Sequence, residues 1–317
     1  MSAARTITRE TVVREMYDFV HDREFSLFRP PGNEAVRGLI DLHVHTGPSS
    51  QDPYALGKYA SVSGMQGIVL KSPALGPTVE LARVLNEALA DWAHDHDYMA
   101  TQILGSVVLG NDTGGLDADY VDRFVQAGAR VVWLPVRDAV NHLVNARGIS
   151  PEEADTLGIS VLQGEELTSQ AREVLEVVQA HGVAMSLGHL SREEVFAVAE
   201  ACSAMQITKA FVDHPFSPVA GISVDDMMQL AELGITCNFT YWELSPYCGV
   251  SAQEMVAAIR SIGVERCTLS SDSSMEIFPS SIECIRLLRA MVAAYGFSHD
   301  ESQQLLAGNQ RRLLGIG

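Results

Sequence analysis

The stretch "GLIDLHVHTGPSS", residues 38–50, decides how the rest of the chain is read. Its first half is an apolar, β-branched run that predicts a strand over 38–45. Alternation along a strand sends residues i and i+2 to the same side, so His43 and His45 leave the strand's end pointing in one direction. No Gly-rich phosphate-binding fingerprint opens the helix that follows, which argues against a dinucleotide-binding sheet.

The same pattern then recurs. Apolar runs at 65–71, 102–109, 130–136, 183–188, 209–213, 235–241 and 266–271 each precede a segment of helical period. Eight strand-then-helix units predict an α/β fold of the (β/α)8 TIM-barrel type. Ser191 with Glu194, Ser251 with Glu254 and Ser298 with Glu301 fit capping boxes at helix starts. Gly182 and Gly263 stand where left-handed helix caps are expected. Residues 1–37, with an amphipathic "RETVVREMYDFVHD" and a helix-breaking "RPPG", read as an N-terminal helical extension, leaving 38–317 for the barrel. The longest interruption, 138–164 after strand four, is expected to be a lid-like loop over the barrel mouth.

Composition excludes several function classes. The chain of 317 residues carries 22 Lys and Arg against 40 Asp and Glu, a formal charge of −18. That balance opposes nucleic-acid binding, which needs clustered cations. No apolar run approaches membrane-spanning length and no leader-like segment opens the sequence, so a cytoplasmic protein is expected. Five cysteines without a C-x-x-C pair predict buried free thiols.

Barrel chemistry sits at the C-terminal ends of the strands. Strand one ends in His43 and His45, strand two in Lys71, strand five in His189, strand six in His214 and strand eight in Asp272. Imidazoles and a carboxylate converging there suit a divalent transition metal: zinc, or manganese, iron or nickel. Such a cation acidifies bound water, and Asp272 is the candidate proton acceptor. A second H-x-H, His94 and His96, precedes strand three at the opposite rim and reads as a helix-end cation pair; His181 is read the same way. Arg137, Asn141, His142, Tyr241, Trp242 and Glu243 map to the mouth or its loops as candidate contacts to a small polar substrate, Arg137, His142, Tyr241 and Glu243 foremost.

These motifs resemble the metal-dependent hydrolases of the amidohydrolase superfamily: H-x-H on strand one, histidines after strands five and six, and an aspartate after strand eight. "LLAGNQRRLLGIG" is similar to the helix ending many of its smaller members. The resemblance implies that His43 and His45 bind the metal, that His189 and His214 bind it or contact the bound water and substrate, and that Asp272 is both ligand and base. Binuclear members usually place a carboxylated lysine or a glutamate after strand four. Here that strand ends "VVWLPVRD", and Lys71 is the lysine among the strand ends. Lys71 is expected to bridge two metals as a carboxylated ligand, to hold a substrate anion as a cation, or to pack structurally, so one or two metals per chain are expected. The resemblance implies hydrolysis of an amide, cyclic imide or lactone, or a deaminase or decarboxylase using the same site. "DLHVHTGPS" also resembles the first motif of the PHP phosphoesterases, but "LKSP" and Ser274 stand where that family needs further ligands. A catalytically dead barrel serving as a binding module is the remaining alternative. The exterior helices and N-terminal arm are expected to support a homo-oligomer.

Overall fold

The computed structural model describes residues 33–47, 50–72, 76–274 and 278–317. The expected N-terminal helical extension falls almost wholly outside the described residues, which begin in a short 3-10 turn, Asn33–Val36. All eight expected strands are present. In chain order they are β1 (Ile40–His45), β2 (Gly67–Lys71), β3 (Gln102–Leu104), β4 (Ser106–Val108), β5 (Val131–Trp133), the short hairpin β6 (Leu162–Gln163) and β7 (Glu166–Leu167), β8 (Ala184–Ser186), β9 (Ala210–Asp213), β10 (Thr236–Thr240) and β11 (Cys267–Ser270).

Helices follow the strands: α1 (Pro53–Ser63), α2 (Val79–Asp95), α3 (Ala118–Gln126), α4 (Val140–Asn145), α5 (Pro151–Leu157), α6 (Ser169–His181), α7 (Arg192–Ala204), α8 (Val224–Glu232), α9 (Ala252–Ile262), α10 (Ser281–Ala294), α11 (His299–Gln303) and α12 (Asn309–Leu314). The three expected capping boxes form at the starts of α7, α9 and α11. Gly182 takes the left-handed cap at φ 57, ψ 33. Gly263 departs from the expectation: its φ is 99 but its ψ is 138, because the chain turns directly into a 3-10 turn before β11.

Apart from the hairpin the strands are parallel, as the alternating order requires, but the ladder is not one closed circle. It divides into a three-stranded sheet, β1-β2-β3, and a six-stranded sheet, β4-β5-β8-β9-β10-β11. The expected third strand is split at Gly105, where β2 pairs with its first half and β5 with its second. A side chain at Gly105 would come within 2.6 Å of the Val79 backbone, so the break coincides with close approach of α2. At the other seam the segment after β11 meets β1: Asp272 N–H donates to the His43 carbonyl at 2.9 Å and His45 N–H to the Ser273 carbonyl at 3.0 Å. The chain thus brings the ends of β1 and β11 together where the sequence carries His43, His45 and Asp272.

The interior of the strand arrangement is an apolar layer topped by a polar one. Ile40, Leu42, Val69, Leu104, Val131, Trp133, Ala184 and Phe211 form a buried cluster, with Trp133 fully enclosed. Phe211 meets the Trp133 ring edge-on at a centroid distance of 5.6 Å, and the His43 ring lies 4.8 Å away. Trp133→Ala removes the largest fully buried side chain and should cost about 3–5 kcal/mol. Chemical denaturation checks this, and a loss under about 1 kcal/mol would show that the floor of the site collapses freely around the void.

The expected lid-like segment, 138–164, consists of α4, α5 and one strand of the hairpin. It is tied to its neighbours: the Asn141 amide donates to the carbonyls of His189 (3.1 Å), Leu190 (3.2 Å) and Val219 (2.8 Å). Asn141 is therefore spent on backbone and is not a substrate contact in this arrangement.

Candidate metal centre

Every strand-end residue singled out in the sequence lies at the C-terminal end of the strand arrangement, and five of them fall into two groups of nitrogen and oxygen atoms. In the first group, His43 Nε2 and His45 Nε2 are 3.1 Å apart, and Asp272 Oδ1 lies 3.2 Å and 3.0 Å from them. In the second, His189 Nε2 and His214 Nε2 are 3.2 Å apart. Lys71 Nζ joins the first group at 3.1 Å from His43 Nε2, lying 4.3 Å above the centre of the Trp133 ring.

The backbone pays a conformational cost to present two of these side chains. Asp272 has φ 50 and His214 φ 33, two of four non-glycine residues with positive φ among the described residues. Such backbone is sparsely populated outside glycine, and it persists where surrounding structure over-determines it, often at functional sites. Gly188 supports the same rim: at φ 64 it lets β8 approach the end of β5, where a Cβ would lie 2.4 Å from the Pro135 carbonyl. His189 N–H then donates to that carbonyl at 3.0 Å.

Around the strand-end residues is a set of buried polar groups that the sequence reading did not single out. Asp213, immediately before His214, accepts from Ser186 Oγ (2.6 Å) and Asn238 Nδ2 (2.6 Å) and lies 3.3 Å from His43 Nδ1. Asn238 in turn accepts from Thr268 and Ser270. Asp41 accepts from the backbone of His43 and Ser271 and from Ser281 Oγ, fastening β1 to the segment that carries Asp272. The signal available for both was an acidic residue inside an apolar strand, two residues or one from a strand-end histidine.

Electrostatics follow from burial. Burial lowers His45 to about 4, although the hydrogen bond and charge of Asp272 oppose it. Burial likewise lowers His214, with Asp272 and Asp213 opposing, and drives His189 well below the ordinary histidine value. At neutral pH these rings are neutral and offer lone pairs. Burial alone would raise Asp213 and Asp272, but His43 and His214, together with Lys71 at Asp213 and His45 at Asp272, outweigh it and hold both far below the carboxylate range, so both are anionic. Burial lowers Lys71, while Asp213 and Asp272 favour its charged form.

These shifts predict a pH dependence of folding. His45 and His142, lowered to about 4, and His189 and His214, lowered by burial, bind fewer protons in the folded chain than in the unfolded one below about pH 6.5. Between pH 6.5 and 4 the unfolded state holds more protons, so stability falls on acidification. The raised carboxyls of Asp41 and Glu243 act oppositely, two groups against four. The urea midpoint of metal-free protein should be lower at pH 5 than at pH 7; a flat or rising midpoint contradicts these assignments.

The expected substrate contacts separate. Arg137 is exposed at the mouth, and Tyr241 is half-buried against the core. His142 Nδ1 lies 2.7 Å from His189 Nδ1, a hydrogen bond that links α4 to the second group. Glu243 is a correction: it is fully buried, and its carboxylate accepts from Phe216 N–H (2.8 Å), Thr240 N–H (2.6 Å) and Thr240 Oγ1 (3.2 Å). It ties the loop after His214 to β10. His94 and His96 sit at the C-terminal end of α2, away from both groups, and His181 pairs with Asp122 at 2.6 Å. All five cysteines are free, four of them buried.

The chain's donor set fits a divalent cation. Among the described residues, His43, His45 and Asp272 are the group whose ligand atoms lie close enough together to hold an ion. Their edges of 3.0–3.2 Å are those of one face of a coordination polyhedron with bonds of about 2.0–2.2 Å.

A model of the family described as "Family of unknown function (DUF6282)" matches residues 38–238, which include β1 with its H-x-H and run to β10. The chain belongs to that family. No curated protein matches it in sequence. Among solved structures, an amidohydrolase from Pseudomonas aeruginosa is similar at TM-score 0.62 with 12% identity, covering 89% of this chain and 97% of that one. An amidohydrolase from Burkholderia multivorans with bound zinc is similar at TM-score 0.56 with 14% identity, covering 88% and 99%. A putative 2-pyrone-4,6-dicarboxylic acid hydrolase from Pseudomonas putida is similar at TM-score 0.52 with 20% identity, covering 88% and 97%. This DUF6282 chain therefore has the fold of amidohydrolase-superfamily structures. Among its described residues no helix is long and apolar enough to cross a membrane.

Proposed function

We propose that this chain is a metal-dependent hydrolase cleaving a C–N or C–O bond, in an amide, cyclic imide or lactone, of a small polar molecule. The reading is carried by one observation: the triangle of His43 Nε2, His45 Nε2 and Asp272 Oδ1 at the joined ends of β1 and β11. The relatedness of the fold to amidohydrolases, one of them with bound zinc, supports it, and the strands are read accordingly as a (β/α)8 barrel with two seams.

In this reading His43, His45 and Asp272 hold a divalent metal, zinc being best suited to two imidazoles and a carboxylate. When bound, the cation supplies Lewis acidity, polarising the scissile carbonyl and acidifying water. Asp272, anionic and at the same point, accepts the proton released as water attacks and passes it to the leaving nitrogen or oxygen. Asp213 fixes the His43 ring by facing Nδ1, leaving Nε2 for the metal. His214 and His189, neutral and 3.2 Å apart, donate hydrogen bonds to the substrate oxygen as negative charge grows there. Lys71 lies close enough to hold the same oxygen, its ammonium seated on the Trp133 face. The buried, apolar floor beneath excludes bulk water and strengthens these interactions.

A panel of amides, cyclic imides, lactones and phosphomonoesters, assayed with the chain as isolated and after chelation, tests this. Turnover of an amide, imide or lactone that chelation abolishes and zinc restores is the expected result. Turnover insensitive to chelation, or confined to phosphomonoesters, would overturn the reading.

A further inference from the structure

The two histidines of the second group are backed by different chemistry. His189 Nδ1 meets another imidazole, His142 Nδ1, at 2.7 Å. A hydrogen shared between two imidazoles can sit on either ring, so His189 is free to present a lone pair or an N–H at Nε2. His214 Nδ1 meets a hydroxyl instead, Ser217 Oγ at 3.2 Å. A hydroxyl both donates and accepts, and its direction is set by what else reaches it.

Ser217 is buried, and its Oγ accepts the Ala220 N–H at 3.1 Å. Its own hydrogen then needs an acceptor, and among the described residues His214 Nδ1 is the one in reach. Left without that acceptor, a buried hydroxyl would carry an uncompensated desolvation cost. The neutral ring of His214, accepting at Nδ1, therefore carries its hydrogen on Nε2.

The segment after β9 gives Ser217 little freedom to do otherwise. Ser217 N–H donates to the His214 carbonyl (2.8 Å), Gly221 N–H to the Ser217 carbonyl (2.8 Å) and Ile222 N–H to the Pro215 carbonyl (3.0 Å), so the segment closes on itself. Glu243 grips it from the end of β10 through the Phe216 N–H, and Asn141 grips it from α4 through the Val219 carbonyl. His214 stands at φ 33 within this web, which fixes both where the ring lies and which edge it shows.

We infer that Ser217 is a positioning residue that holds His214 as an N–H donor at Nε2, making His214 a contact to the substrate oxygen and removing it from the ligands of the metal. A ring nitrogen that carries hydrogen has no lone pair for a cation. The group able to hold an ion, His43, His45 and Asp272, is complete without His214. In the unliganded chain the Nε2 hydrogen of His214 faces His189 Nε2 at 3.2 Å, the long end of the hydrogen-bond range, so a closer oxygen readily replaces that partner. The inference rests on the proposed function for the identity of that oxygen; the tautomer itself stands on Ser217 and the segment around it.

NMR of the full chain labelled with nitrogen-15 at histidine, metal-free and with zinc added, tests this, the His214 signals being identified by their loss in His214→Gln. At pH 7 His214 should be protonated at Nε2 and bare at Nδ1 in both samples. Ser217→Ala should mix the two tautomers of His214 and lower kcat roughly ten- to hundredfold with KM changing less, because the donor acts on charge that grows in the transition state. Zinc affinity should stay within about threefold in that variant, short of the tenfold or more that follows loss of a group supporting a ligand. A bare Nε2 in the metal-free wild-type chain, or loss of its hydrogen when zinc is added, overturns the inference even if Ser217→Ala does not fold. A wild-type tautomer in Ser217→Ala, or a fall in its zinc affinity of about tenfold or more, overturns it too. Turnover that is absent or indifferent to chelation would sink the hydrolase reading separately, with the tautomer of His214 still as inferred.

Discussion

Replacing Asp272 by Asn is expected to lower kcat by roughly a hundredfold to ten-thousandfold, the range lost with a positioned proton acceptor. The amide is nearly isosteric with the carboxylate and tolerates the positive φ of 50 that this position demands, so the fold and the Asp272 N–H to His43 carbonyl contact should persist. What disappears is the anion that His43 and His45 share at 3.2 Å and 3.0 Å. Loss of a ligand would also weaken metal binding, so turnover has to be measured at saturating zinc. Under those conditions KM should change less than kcat, because proton transfer matters chiefly in the transition state. An unchanged kcat, or an effect confined to KM, would remove Asp272 from the reaction.

His45→Ala is expected to weaken metal binding by more than about a hundredfold, beyond the loss usually caused by removing a supporting residue around a metal site. His45 is the better probe of the two strand-one histidines. Its side chain is 17% exposed, whereas His43 is fully buried, packed at a tilt against Trp133 and faced by Asp213. Truncating His43 would confound packing with ligation, while truncating His45 leaves the core in place. Competition with a chelator, with thermal unfolding of the metal-free variant as a control, reads the effect. Wild-type zinc affinity in His45→Ala would place the metal elsewhere or nowhere.

Much of the fold was legible from local patterns. Each of the eight apolar runs became a strand, and the serine–glutamate pairs marked the starts of α7, α9 and α11 because a hydroxyl and a carboxylate three residues apart satisfy free N–H groups wherever the helix sits. The seams were not legible. Whether β3 and β4 form one strand or two depends on how closely α2 approaches Gly105, and the join of β1 to the segment after β11 is made between residues more than two hundred positions apart.

The candidate centre shows the same division. Strand-end placement singled out His43, His45, His189, His214 and Asp272, since period-2 alternation and the strand's direction fix where such residues point. Asp213 and Asp41 escaped because their importance lies in which donors reach them, Ser186, Asn238, Ser271 and Ser281, and these come from other strands and helices. Glu243 misled for a related reason. A carboxylate just past a strand end reads as a mouth residue, yet the loop after β10 folds it inward onto the Phe216 and Thr240 amides.

Anomalous X-ray scattering at the zinc edge, from crystals of freshly isolated protein, addresses the central claim most directly. A peak is expected within bonding distance, about 2.0–2.2 Å, of His43 Nε2, His45 Nε2 and Asp272 Oδ1. A metal bound elsewhere on the chain, or those three atoms joined only by hydrogen bonds in protein supplied with zinc, would contradict it.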